Sequence, residues 1–167
     1  LSLSNLEHDH QYGVFEIGMS KPGEILKLSS LVKPDIGIIT NIGEAHIENF
    51  NNLNGIAKAK SEIIENIKNN GYLILNKDDK YFNYFSKLAK KRKINVLSFG
   101  TIKKSDANLI KYETYKNYSL LHLKVLNKKI FLKVKNINFL TILNTLSSLL
   151  ILSILNLNYL KIKNLTN

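Results

Sequence analysis

The chain of 167 residues contains no cysteine. That absence excludes a disulfide framework and any zinc site built on thiolates, and it fits a reducing, cytoplasmic setting. Only two prolines are present, and both read as punctuation: Pro22 opens a turn with Gly23, and Pro34 lies just beyond a helical stretch and stops it. The phosphate-cradling pattern G-x-x-x-x-G-K-[ST] is missing, so any nucleotide site within these residues is incomplete. There is no charged-then-apolar signal pattern at the start, no internal repeat and no low-complexity linker. The first residue is not methionine, and the chain reads as a fragment.

Acidic residues are the scarcer sign, 13 against 24 Lys plus Arg, which leaves a formal charge of +11. Such a balance fits an acidic partner, whether nucleic acid, anionic lipid or a phosphorylated substrate. It fits equally well the codon bias of an A- and T-rich genome, because lysine, asparagine, isoleucine and leucine crowd the whole chain. The apolar fraction of 44% is ordinary for one globular domain with a real core. Residues 136–160 carry no charge and are long enough to span a bilayer. Thr141, Asn144, Thr145 and Ser148 nevertheless form a polar stripe opposite Ile142, Leu143, Leu146, Leu149 and Leu150, the pattern of a buried or half-buried helix in a soluble domain.

Apolar runs at residues 12–17 (YGVFEI) and 35–41 (DIGIITN) predict strands, with a helix between them on Ile25, Leu28, Leu31 and Val32. A second helix is expected from about residue 53 to 69, closed by Asn70-Gly71, then a strand at 72–75, a helix at 81–91 and a strand at 94–99. After Gly100 the pattern changes to alternation at 108–113, 119–126 and 129–134 around Asn127-Lys128, an antiparallel ribbon. The expected fold is therefore α/β in three layers, a mostly parallel sheet with an antiparallel extension.

In open α/β sheets, ligands bind beyond the carboxyl ends of the strands. Glu16 is expected at one such end and His46, in NIGEAH, in the loop leaving the next strand. The carboxylate suits magnesium, a hard cation that takes oxygen donors, whereas the imidazole alone points to zinc or manganese. Solvated positions for both residues remain open on spacing alone. Lys60 lies on the apolar side of its predicted helix, where burial lowers an amine's pKa and the neutral form can act as a nucleophile or take up carbon dioxide as a carbamate. Gly23 leads into a helix N-terminus, a place able to hold an anion. The cluster KLAKKRK at 87–93, behind Tyr81, Phe82, Tyr84 and Phe85, reads as a nucleic-acid surface or, at helical spacing, as packed aromatics with solvated lysines.

Four blocks, EIGMSKPGEI, KPDIGIITNIGEAHIENF, GIAKAKSEI and the NKDD of residues 76–79, together resemble the central ATPase domain of the Mur ligases. The resemblance is strong over residues 12–79 and weaker to about residue 155. Pro-Gly-Glu-Ile after the glutamate–apolar–glycine pattern resembles most the branch that joins D-alanyl-D-alanine to UDP-N-acetylmuramoyl-tripeptide. It implies a P-loop-like domain, ATP and Mg2+ as cofactors, and activation of a carboxylate as an acyl phosphate that an amine then attacks. It further implies that Glu16 binds the magnesium accompanying ATP, that His46 binds a second one, and that Lys60 is carbamylated and acts as an anionic ligand. In the family a Gly-x-His-Asn-type stretch precedes an adenine-contacting asparagine; here Asn138, Phe139, Leu140 and Thr141 stand in its place and only Asn144 matches. Residues 1–167 thus read as a central domain cut at both ends, with the phosphate loop and substrate domain upstream and a further domain downstream. The resemblance implies a cytoplasmic ligase of peptidoglycan precursor synthesis, inactive as this piece alone, with neither nucleic acid nor an inserted membrane segment as partner. The alternatives are a ligase adding another amino acid, a non-catalytic nucleotide or nucleic-acid binding module, and a protein anchored through residues 136–160.

Overall fold

The structure, a computed structural model, describes residues 9–43 and 47–157. Six strands form one sheet in chain order, β1 (Ile36–Ile39), β2 (Tyr72–Asn76), β3 (Asn95–Gly100), β4 (Ala107–Thr114), β5 (Tyr118–Val125) and β6 (Lys128–Lys135). The first four are mutually parallel, and β5 and β6 continue antiparallel. On one face, α2 (Leu53–Ser61), the 3-10 turn Glu62–Asn66 and α3 (Phe82–Lys91) cover a core of Ile64, Ile67, Leu73, Leu75 and Phe85. On the other face, α4 (Phe139–Ile154) lays Ile142, Leu143, Leu146, Leu149 and Leu150 over Phe99, Leu121 and Leu123. These are the three layers expected from alternating strand and helix periods.

α4 follows the amphipathic reading of its sequence: the five apolar residues are buried, while Thr141, Asn144 and Ser148 face solvent. Among the described residues no helix is long and apolar enough to cross a membrane. In α3, Phe85 and Ala89 are buried and Lys87, Lys90 and Lys91 are exposed; Tyr81 and Phe82 pack partly buried against the core, whereas Tyr84 is exposed.

Several expectations need correction. Residues 12–17 form no strand, and Val14 is 95% exposed. An apolar run becomes a strand only when a neighbour takes its backbone N–H and C=O groups, and among the described residues nothing pairs with the outer edge of β1, where Ile38 is 36% exposed. The second helix ends as an α-helix at Ser61 and tightens into the 3-10 turn. Leu31, expected on the inner face of α1 (Glu24–Val32), is 62% exposed, and Ser29 is buried in that helix beside Ile25.

A parallel neighbour ordinarily needs a crossover of about a dozen residues or more, yet only residues 101–106 connect β3 to β4. The short link suffices because the two strands overlap by two pairs alone, Phe99 with Ala107 and Gly100 with Asn108. Asp106 holds the return: its carboxylate accepts from the backbone N–H and the hydroxyl of Ser98 at 2.8 and 2.6 Å. The ribbon turn lies at Leu126-Asn127, one residue earlier than the sequence suggested, since Val125 pairs with Lys128 and the Leu126 N–H donates to the Asp106 carbonyl at 2.6 Å.

The start of α2 is fixed by close backbone contact. Asn52 caps the helix through its side chain, which accepts from the Gly55 N–H at 3.0 Å. A Cβ on Gly55 would lie 2.1 Å from the Phe50 carbonyl oxygen. Gly55→Ala is therefore expected to cost ~2 kcal/mol, because backbone must shift to admit the methyl group. Gly18→Ala, with nothing within 4 Å of the new methyl, is expected to be close to neutral. Urea unfolding midpoints of the two variants check the contrast.

Candidate functional site at the carboxyl ends of the strands

The parallel strands all end on one side, and the central β2 is almost wholly buried: Leu73 and Ile74 are 0% exposed. Two consecutive carboxylates follow it. Asp79 reaches toward the β1 side, where its Oδ2 accepts from the Ile42 N–H at 2.8 Å, while its Oδ1 accepts from the Tyr81 N–H at 2.8 Å. Asp78 reaches toward the β3 side and accepts from the N–H groups of Thr101 and Ile102 at 2.6 and 3.2 Å. A Cβ on Gly100 would lie 2.7 Å from Asp78 Oδ1, which explains the glycine there. The loops after β1 and β3 are thus both tied to the end of β2.

Lys60, on the last turn of α2, extends to the same place. Its Nζ donates to the Asn41 carbonyl at 2.8 Å. Burial lowers its pKa below the ordinary lysine value, and the nearby Asp79 carboxylate opposes that shift by favouring the ammonium form. The native state therefore holds this proton less tightly than the unfolded chain does. Its contribution to stability improves as pH rises from the lowered value toward the ordinary one.

Glu62, one turn-step further, crosses to α1. Its two oxygens accept from the N–H groups of Gly23 and Leu26 at 2.8 and 3.1 Å. The helix N-terminus that the sequence marked as able to hold an anion is thus filled by the chain's own carboxylate. Glu24 accepts from the N–H groups of Ser20 and Lys21, and these bonds lower its pKa. The stretch 20–26 is consequently fastened to the end of the helix that carries Lys60.

One small apolar cluster completes the assembly. Phe50, Ile56 and Ala59 are buried together, with Met19, Ile42, Ile47 and Leu53 packed against them. Met19 is three residues past Glu16, Ile47 directly follows His46, and Ala59 directly precedes Lys60. The cluster thus gathers Met19, Ile47 and Ala59, each within three residues of a predicted ligand in the sequence. His46 itself lies outside the described residues. Glu16 is exposed, in a segment without strand structure, and no hydrogen bond links it to Lys60. Asn144 is exposed on α4, which packs on the opposite face of the sheet from α2. Two shallow hollows flank the start of α2, of about 350 and 250 Å³, and neither includes Glu16, Lys60 or Asn144 in its lining.

The donor set bears on magnesium. Among the described residues no three His, Asp or Glu side chains group as a metal site. The exposed Glu16 carboxylate suits one oxygen ligand of an ion whose remaining positions water and phosphate commonly fill, while Asp79 already spends both oxygens on backbone N–H groups. Lys60 as an ammonium repels a cation; as a carbamate it would add oxygen donors. Reasoning from sequence missed Asp79 and Glu62, although both are carboxylates inside the quoted blocks, and Asp79 obeys the same strand-end rule that singled out Glu16.

The profile of the Mur ligase middle domain family matches residues 1–152. The chain belongs to that family. This Mur ligase middle domain is 40% identical over 115 residues, 68% of its length, to the UDP-N-acetylmuramoyl-tripeptide–D-alanyl-D-alanine ligase of Rickettsia prowazekii, and spans 26% of that relative. Its fold matches a crystal structure of MurF from Acinetobacter baumannii with a TM-score of 0.84 and 27% identity, covering 92% of this chain and 33% of that one. A MurF ligase from Thermotoga maritima, solved in complex with ADP, matches at a TM-score of 0.75 and 25% identity, covering 86% of this chain and 33% of that one. The chain therefore spans about a quarter to a third of the proteins it matches.

Two outcomes test the site's geometry. Asp79→Asn removes the charge that favours the Lys60 ammonium and is expected to lower that pKa further, as read by pH-dependent acylation of Lys60 with mass spectrometry. Glu62→Ala removes the cap of α1 and is expected to cost about 1 kcal/mol in thermal unfolding.

Proposed function

We propose that this chain is the central part of a longer cytoplasmic, ATP-dependent amide ligase that joins D-alanyl-D-alanine to UDP-N-acetylmuramoyl-tripeptide during peptidoglycan precursor synthesis. The observation that supports the reading is the Phe50–Ile56–Ala59 cluster, in which Met19, Ile47 and Ala59, sequence neighbours of Glu16, His46 and Lys60, pack together. The relative from Rickettsia prowazekii named for that reaction supports it.

In this proposal Glu16 is a ligand for the magnesium that accompanies ATP and His46 for a second magnesium. Bound there, magnesium would neutralise charge on the transferring phosphate and the attacked oxygen, where electrostatic stabilisation counts most. Lys60 acts after conversion to a carbamate, which replaces a cation by an oxygen donor; its lowered pKa supplies the neutral amine that this conversion requires. The Asn41 carbonyl and the Asp79 clamp on Ile42 orient Lys60 and the loop leading toward His46. Asn144 contributes an adenine contact from α4. The phosphate loop, the tripeptide site and the amine substrate's domain belong to the remainder of the longer enzyme, and the chain alone is expected to form no product.

In the full-length ligase, Glu16→Gln, His46→Ala and Lys60→Arg are each expected to lower pentapeptide formation by roughly 100-fold or more, the scale of losing a charge-stabilising group, with melting temperatures nearly unchanged. Undiminished turnover in one variant would remove that residue from the site. Labelled bicarbonate should give a carbamate carbon signal in the wild-type protein that is missing from Lys60→Arg.

A further inference from the structure

The positive charge is not spread evenly. Residues 101–136 hold nine lysines and two acidic residues, a balance of +7 against +11 for the whole chain, whereas residues 1–100 hold 13 Lys plus Arg against 11 acidic residues. Codon bias acting along the chain gives no reason for the excess to collect on the ribbon. The register places Lys111, Lys124, Lys129, Lys133, Lys135 and Phe131 on the outer face of β4–β6, opposite the face that α4 covers.

This face is built against the fold's own interest. Lys124 pairs directly across the strands with Lys129, and like charges directly opposite destabilise a sheet. Among the described residues only Lys111 has a carboxylate partner there, Glu113. In the centre Phe131 is 63% exposed.

We propose that the outer face of the β4–β6 ribbon docks on an anionic lipid bilayer. Charge complementarity carries the assignment: Lys124, Lys129, Lys133 and Lys135, which have no carboxylate partner among the described residues, meet a sheet of phosphate headgroups, and Phe131 enters the interface between them. A nucleic-acid strand would require a groove and open aromatic faces. Here Tyr118 is stacked on Tyr115 at 4.8 Å and covered by Lys133 at 4.1 Å, and among the described residues Phe131 is the one strongly exposed ring on this face rather than one of a row of stacking platforms. The contact is peripheral and involves no membrane-crossing segment.

Vesicle co-sedimentation of the 167-residue chain tests this with phosphatidylglycerol/phosphatidylcholine vesicles, pure phosphatidylcholine vesicles and a single-stranded oligonucleotide in parallel. The wild type is expected to bind the anionic vesicles only, and less at high salt. Lys124→Glu/Lys129→Glu/Lys135→Glu should lose roughly 100-fold or more, about fivefold for each positive charge removed and a further loss from the three carboxylates added. Lys27→Glu/Lys87→Glu/Lys90→Glu, the same change of net charge on α1 and α3, should stay within about threefold of wild type. Phe131→Ala, which alters no charge, should weaken binding at high salt most. Equal losses in the two triple variants, absence of a preference for anionic vesicles, or tighter ribbon-dependent binding to the oligonucleotide would each overturn the proposal.

Discussion

The pair of carboxylates after β2 is the constraint on which the upper end of this sheet depends. A parallel sheet leaves the loops at its carboxyl ends with backbone N–H groups that no ladder satisfies. Asp79 takes one such group from the loop after β1, and Asp78 takes two from the loop after β3. β2 is buried between its neighbours, and the two carboxylates lie in the turn that directly follows it. Asn76 joins the arrangement by accepting the Asp78 N–H at 2.9 Å.

From that fixed point the candidate site is reached in two steps. The held loop offers the Asn41 carbonyl to Lys60, and Asp79 lends the same lysine a favourable field. The end of α2 then passes its order to α1 through Glu62, over a chain separation of 39 residues. Gly55 permits the close approach of α2 to Phe50 that puts Lys60 within reach. Each contact is modest alone; together they bring three distant stretches of sequence to one corner of the sheet, which is the property a multi-ligand phosphate site requires.

The alternating strands and helices were legible because periods of 2 and 3.6 survive in a single sequence, and the polar stripe of α4 separated a packed helix from a membrane span. What failed to show were features made by partners far along the chain. The run at 12–17 has strand composition but no pairing neighbour among the described residues. The ribbon turn moved by one residue because Asp106 captures the Leu126 N–H. Asp79 and Glu62 carry their meaning in bonds across 37 and 39 residues, which local spacing does not encode. Helix periodicity put Lys60 on the apolar side of its helix, and it is partly buried there. The strand-end rule singled out Glu16 and His46, but Glu16 is exposed in a segment without strand structure and His46 lies outside the described residues.

The two carboxylates act separately, each on one loop. Amide hydrogen exchange at Ile42, Thr101 and Ile102 in Asp79→Ala and in Asp78→Ala tests it most directly. Faster exchange is expected at Ile42 but not at Thr101 or Ile102 in the first variant, and at Thr101 and Ile102 but not at Ile42 in the second, with the amides of Leu73, Ile74 and Leu75 protected in both. Unchanged protection at Ile42 in Asp79→Ala, or the same three amides loosening together in either variant, would contradict it.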